Sequence, residues 1–222
     1  AAAKPVFSFV PQHQREKALP VGRLHPSFLD DAVVLAACKP LRVLSSALVG
    51  SGLQWVTHFV NRHVGLDYDC PHPEEDMRCY LERHGFPVAQ TVGMMTAVDV
   101  RDAVWRREDG EGFSIAVMVT AGVGNAVDAA RAWQHQPLVA KPGTINMVVV
   151  IDGTLTEAAF VQAVMTTTEA KAKALADRSV HDPETGTAAT GTSTDSLAVA
   201  ATQTGRVFAY AGTATELGRA LG

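Results

Sequence analysis

Basic clusters, long apolar runs and paired cysteines are all scarce in this sequence, and each shortage removes a class of function. Lysines and arginines number 19 against 23 acidic residues, a formal charge of -4, and they are scattered rather than gathered along one stripe. No nucleic-acid partner is expected. The longest apolar runs, such as Met147–Ile151, fall far short of the roughly 20 residues of a membrane helix, so no membrane partner is expected either. Cys38, Cys70 and Cys79 are an odd number, too few for a disulfide framework, and residues 1–9 lack a charged start followed by a signal core. A cytoplasmic location is expected.

Several motifs are also missing. Cys70, His72, Cys79 and His84 carry ligand chemistry, but Cys70 and His72 stand too close and Cys79 to His84 would straddle a helix end, so no metal site is expected. Thr120-Ala121-Gly122-Val123-Gly124-Asn125 follows an apolar run like a dinucleotide-binding loop, yet Val127 occupies the third glycine position and no acidic residue follows at about 20 residues. It reads as a turn presenting Asn125. A Gly-x-Ser-x-Gly elbow is absent, which favours general-base attack by water over an acyl-enzyme.

What remains is 47% hydrophobic, enough to bury a substantial core in one domain spanning 1–222, with 1–32 as a peripheral N-terminal segment. Runs at 33–37, 43–49, 113–120, 145–151, 197–201 and 207–211 are rich in β-branched or small apolar residues between turn signals, and predict strands. Pro71, then Glu74, Glu75 and Asp76, then Arg83 and Gly85 predict a helix whose charges suit its dipole. A second helix is predicted from the capping box Thr154-Leu155-Thr156-Glu157 to about Ala176, burying Val161, Val164, Met165, Thr168, Ala172 and Leu175 along one stripe. Further helices are predicted over 53–64 and 215–221. The polar stretch 182–195 is expected to be a long surface loop. The interleaving gives an α/β fold (mixed α+β), a single domain with a mixed sheet covered by helices on at least one face. Homo-oligomerisation is possible on this reading.

Three polar segments stand at element ends: Gly143-Thr144-Ile145-Asn146, Thr166-Thr167-Thr168-Glu169-Ala170-Lys171 and Thr190-Gly191-Thr192-Ser193-Thr194-Asp195. The hydroxyls and backbone amides of the third segment could bind polar amide groups or an oxyanion, and Asp195 could act as base. Glu169 and Lys171 lie just outside the two edges of the apolar stripe of their helix. The competing readings are a surface Glu169–Lys173 pair and an Asx turn at Asp195. Ser45, Ser46, Gly50 and Gly52 precede His58, which could activate a serine if the two met. Ser45, Ser46, Gly50, Gly52, Thr96, Asn125, Thr144, Asn146, Thr190, Gly191, Thr192 and Thr194 are candidate substrate-binding groups.

In order, Leu41-Arg42-Val43-Leu44-Ser45-Ser46-Ala47, Gly50-Ser51-Gly52, Met94-Met95-Thr96-Ala97, Thr120 to Ala126, the three polar segments and Gly212-Thr213 resemble the adenosylcobinamide amidohydrolases. Ser51 departs from the family's usual glycine. The resemblance covers about 33–222 and implies hydrolysis of the amide joining the corrin side chain to aminopropanol, giving adenosylcobyric acid for coenzyme B12 salvage. Such a reaction needs a polarised carbonyl, an activated water and a proton for the departing amine, and on this resemblance Glu169 or Asp195 would be the base and Lys171 or hydroxyl and amide donors the electrostatic stabilisers. The corrinoid would then be substrate, with no cofactor, in keeping with the absence of an Asp-x-His-x-x-Gly segment. The rival expectations are a non-catalytic corrinoid-binding module and a hydrolase of another amide.

Overall fold

The computed structural model describes residues 24–135 and 143–222. Its centre is a mixed sheet whose strands are β1 (Leu24–Phe28), β2 (Ala32–Ser45), β3 (Gly52–His63), β4 (Thr91–Thr96), β5 (Val104–Gly110), β6 (Phe113–Ala121), β8 (Ile145–Asp152) and β11 (Ser196–Ala201). The order is β4-β3-β2-β11-β8-β6-β5. Strand β2 is long enough to pair β1 along its first half and β11 along its second, with β3 beside both. The expected separate strands at 33–37 and 43–49 are therefore one strand, ending at Ser45, with a register shift between Ala36 and Leu41. Shorter strands β7 (Ala126–Val127) and β10 (Gly191–Thr192) pair with each other, as do β9 (Thr154–Leu155) and β12 (Val207–Phe208).

The two parallel pairs of the central sheet, β3–β4 and β8–β11, require crossovers, and each crossover carries a helix. Helix α1 (Pro73–Arg83) has proline at its start, three acids in its first turn and Arg83 in its last, as its sequence predicts. It buries Met77, Tyr80 and Leu81 against Ala32, Val34 and Val60. Helix α2 (Glu157–Asp177) is capped by Thr156, two residues after the Thr154 that opens the predicted capping box. The Thr156 hydroxyl accepts from Ala159 N–H, while Thr154 and Leu155 are committed to β9. Its buried side is Ala159, Phe160, Ala163, Thr166, Thr167 and Leu175, packed on β6, β8 and β11. Of the predicted stripe, Val161, Met165 and Thr168 are exposed, because Phe160, the bulkiest apolar group, sets the helix rotation. Helix α3 (Glu216–Leu221) is capped by Thr215.

The predicted helix over 53–64 is instead strand β3. Trp55, Val56, Thr57, Phe59 and Val60 are aromatic or β-branched, and tertiary pairing on both edges, with β2 and β4, overrides any helical spacing. The expected strand over 207–211 stops at Phe208. Leu24, in the segment expected to be peripheral, is buried in the core; residues 1–23 lie outside the described ones.

Both helical layers cover one sheet face. The other face holds Val33, Leu35, Phe59, Val92, Met94, Trp105, Met118, Val148 and Ala198 in one cluster, joined by Val100 and Ala103 from the β4–β5 connection. Residues from strands far apart in the order meet there, so the sheet curls around its own interior. That curl brings the ends of β3, β4, β6, β8 and β11 to one polar site.

Candidate active site

The inner face of the sheet turns polar at one end. Asn146 on β8 lies opposite Thr120 on β6 and beside Ser196 on β11. From the far side of the curl, Asn61 on β3 donates from Nδ2 to Thr120 Oγ1 at 2.9 Å and accepts at Oδ1 from Asn146 Nδ2 at 2.8 Å. Asn146 Nδ2 also donates to the Met95 carbonyl at 2.7 Å. Asn61, Thr120 and Asn146 are each 1% exposed. Buried polar groups are costly unless paired, and these satisfy one another. Asn61 escaped the sequence reading because it lies in a segment that reads as helix with no motif beside it, while the turn motif that Thr120 opens points to Asn125 instead.

Over this layer opens a cleft of about 390 Å³. Gly143, Thr144, Thr194, Asp195, Ser196 and Ser46 form its polar side; Leu48, Val64, Leu66, Tyr68 and Pro73 form an apolar side; Met95, Thr96 and Ala97 close it. Thr144 Oγ1 donates to the Thr194 carbonyl at 2.7 Å, and Thr194 Oγ1 returns a bond to the Gly143 carbonyl at 2.8 Å. The two chain segments are thus stitched together.

Asp195 is the carboxylate of the cleft. Oδ1 accepts from Ile145 N–H at 3.1 Å and from the Thr192 hydroxyl; Oδ2 accepts from Thr192 N–H at 3.1 Å and from Lys171 Nζ. Lys171 reaches it from α2, and the ion pair is largely enclosed, with 12% and 17% of the two side chains exposed. Gly191 makes the approach possible. A Cβ there would fall 2.5 Å from Asp195 Oδ2 and 2.7 Å from Lys171 Nζ, closer than any real contact.

Asn125, on the turn after β6, donates from Nδ2 to Ser193 Oγ at 2.8 Å. Its buried Oδ1 has no partner among the described residues and lies where a Cβ on Gly143 would fall, 2.2 Å away. Thus Asn125, Thr144, Asn146, Lys171, Gly191, Thr192, Thr194 and Asp195 converge, together with Ser46 and Thr96. The remaining candidates stand elsewhere. Glu169 is exposed on α2, two residues and about 200° from Lys171. His58 lies opposite Ala36 while Ser45 lies opposite Gly52, so the length of the strand separates them. His58 is edge-on to Phe86, and burial holds its pKa below the ordinary histidine value. Ser45 Oγ accepts from Ala47 N–H, and Gly50 and Gly52 form the β2–β3 turn with φ of 76° and 82°. Thr190 Oγ1 accepts from Ala129 N–H, bracing the loop rather than lining the cleft.

The stretch 182–195 is mostly surface loop, as expected from its composition, interrupted by β10, but it is anchored from within. Asp182 is completely buried and organises the fold of that segment. Its carboxylate accepts from the backbone N–H groups of Asp128, Glu184 and Thr185 and from His135 Nε2 at 2.7 Å. Burial alone would raise its pKa; those hydrogen bonds outweigh burial and hold it well below the usual carboxylate range. Tyr68, at the cleft edge, is kept protonated by burial and by its hydrogen bond to Asp76.

Another concavity, of about 420 Å³ between β5, β6 and α3, contains none of the residues singled out from the sequence. Among the described residues no group of three or more His, Cys, Asp or Glu is placed to hold a metal ion. No described helix is long and apolar enough to cross a membrane.

Comparison with known proteins points the same way as the motifs. The model of the adenosylcobinamide amidohydrolase family matches residues 19–222. A curated relative from Methanosarcina mazei, named adenosylcobinamide amidohydrolase, is 30% identical over 185 residues, 79% of this chain and 82% of that protein. An uncharacterized ABC transporter ATP-binding protein of Bacillus subtilis is 28% identical over 125 residues, 55% of this chain but 27% of that protein. The chain belongs to the adenosylcobinamide amidohydrolase family.

Proposed function

We propose that the protein hydrolyses the amide between the corrin side chain and aminopropanol in adenosylcobinamide, giving adenosylcobyric acid for coenzyme B12 salvage. The observation that carries this reading is the family match over 19–222, which includes every element that builds the cleft. The corrinoid is the substrate, and no cofactor takes part. The cleft volume of about 390 Å³ lies near the lower end for small-molecule sites. It suits a side chain and its amide rather than a whole macrocycle, so the ring lies across the mouth against Leu48, Leu66 and Tyr68.

In this proposal Asp195 is the base that takes a proton from water. It is the carboxylate that lines the cleft. Two of its four donors are backbone amides, which fix its position; the other two, the Thr192 hydroxyl and the Lys171 ammonium, are side chains that can yield a lone pair to water. Water attacks the carbonyl carbon as Asp195 accepts its proton. Collapse of the tetrahedral intermediate breaks the C–N bond, and that proton passes to the departing nitrogen, leaving cobyric acid and aminopropanol. Lys171 balances the Asp195 charge before the proton arrives. Thr144 and Thr194 shape the polar side of the cleft and orient the amide, while Asn125 braces Ser193 and Thr194 from behind and Asn146 holds the layer beneath.

The test is incubation of the protein with adenosylcobinamide followed by mass spectrometry. Cobyric acid and free aminopropanol in equal amounts support the proposal. A bound corrinoid recovered intact rejects hydrolysis and leaves a binding module.

A further inference from the structure

Six hydroxyls line the cleft: Ser46, Tyr68, Thr96, Thr144, Thr194 and Ser196. Five are engaged within the protein. Ser46 Oγ accepts from Leu197 N–H at 3.1 Å, Tyr68 donates to Asp76 at 2.9 Å, and Thr96 Oγ1 accepts from Val98 N–H at 3.1 Å. Thr144 and Thr194 donate to the carbonyls already described. The Ser196 hydroxyl has no hydrogen-bond partner among the described residues.

Its position is nonetheless closely fixed. Ser196 opens β11 and is the register partner of Asn146, which in turn lies opposite Thr120. Neighbouring residues in register share a face of the sheet, so Ser196, Asn146 and Thr120 form one row on the inner face. The row is pinned from across the curl by Asn61. On the helix side the next residue, Leu197, is tied to Ser46 by a pair of bonds, 3.0 Å from Ser46 N–H and 3.1 Å to Ser46 Oγ. A rigid backbone therefore presents a donor that no described residue uses, one residue from the carboxylate of the cleft.

We propose that Ser196 Oγ–H donates a hydrogen bond to the oxygen of the scissile amide carbonyl and holds it as it becomes an oxyanion. This rests on the hydrolytic reading above and adds the electrophilic half of the site to it. Water oxygen bonds to the carbonyl carbon, the C=O electron pair moves onto the oxygen held by Ser196, and Asp195 takes the water proton. On collapse the C–N bond breaks and the proton goes to nitrogen. Ser196 itself stays uncharged and unmodified. A serine attacks covalently only when a base within hydrogen-bond reach removes its proton, and no base touches Ser196 Oγ among the described residues.

The test compares the wild-type chain with Ser196→Ala and Ser196→Thr on adenosylcobinamide, reading kcat and KM separately and the intact protein mass during turnover. Loss of one oxyanion donor lowers kcat by about 10²–10³-fold. That loss is expected in Ser196→Ala, with KM changed by less than about threefold, while Ser196→Thr keeps its hydroxyl and recovers to within about tenfold of wild type. A Ser196→Ala enzyme within about threefold of wild-type kcat overturns the proposal, as does a Ser196→Thr enzyme no better than alanine. An acyl adduct on Ser196 in the wild-type mass overturns it in favour of a nucleophile. Failure of the wild type to hydrolyse the corrinoid removes the functional reading and this inference together, whereas failure confined to the variants removes the inference alone.

Discussion

Asn146 on β8 donates to Asn61 on β3 at 2.8 Å, although β2 and β11 stand between these strands in the sheet order. The bond exists because the sheet curls, and it supports the floor of the cleft from both sides. Asn61→Leu leaves the buried Asn146 amide and the Thr120 hydroxyl short of a partner, which costs about 1–3 kcal/mol. The Asn61→Leu/Asn146→Leu double variant is expected to lose less than the sum of the single changes, since no half of the pair is then stranded. Urea denaturation of the four proteins measures this.

Lys171 and Asp195 form the enclosed ion pair of the site. Lys171→Met strips one donor from Oδ2 and leaves the carboxylate charge unbalanced. The expected cost is about 2 kcal/mol of stability, with a coupling of about 0.5–3 kcal/mol in a double-mutant cycle with Asp195→Asn. Lys171→Met should also lower kcat by more than about tenfold. Thermal unfolding and steady-state rates on the same preparations separate the two effects.

Gly191 is required by crowding rather than by backbone conformation. Gly191→Ala drives a Cβ to within 2.5 Å of Asp195 Oδ2, so either β10 or the ion pair must move, costing about 1–3 kcal/mol. Turnover is expected to fall to the level of Lys171→Met, because the same contact is displaced.

Asp182 gives the protein an acid-sensitive element away from the cleft. Its folded pKa is depressed, so its contribution is fully present above the ordinary carboxylate value of 3.8 and is lost as pH falls below that value toward the folded pKa. Asp182→Asn is expected to cost about 2–3 kcal/mol near neutral pH. The difference between the two proteins should shrink steadily between pH 4 and pH 2, measured by denaturation across that range.

Glu169 and His58 supply the contrasting controls. Glu169 is exposed on α2 and His58 packs beside Phe86, and neither lines the cleft. Glu169→Gln and His58→Ala are each expected to leave kcat within about threefold of wild type.

Much of this site was legible as residues but not as geometry. The order Gly143 to Asn146, Lys171, then Thr190 to Asp195 carried the family resemblance, and these segments do converge. Glu169 and Lys171 looked equivalent in a string of letters, yet only the rotation of α2, set by Phe160, decides which one meets Asp195. Residues 53–64 spell a helix as readily as a strand until pairing partners on both edges choose between them. Asn61 and Ser196 carry no local signature at all: their roles come from register across the sheet and from its curl, which are long-range properties. Asp182 likewise reads as loop until the backbone is seen wrapping its carboxylate.

Proton transfer from water to Asp195 during cleavage of the corrinoid amide is checked by quantifying adenosylcobyric acid and aminopropanol formed by wild-type and Asp195→Asn protein with adenosylcobinamide. The expected result is stoichiometric release of both products by wild type and a kcat lower by about 10²–10⁴-fold in the variant, with the corrinoid still bound. Wild-type rates from Asp195→Asn would contradict the claim.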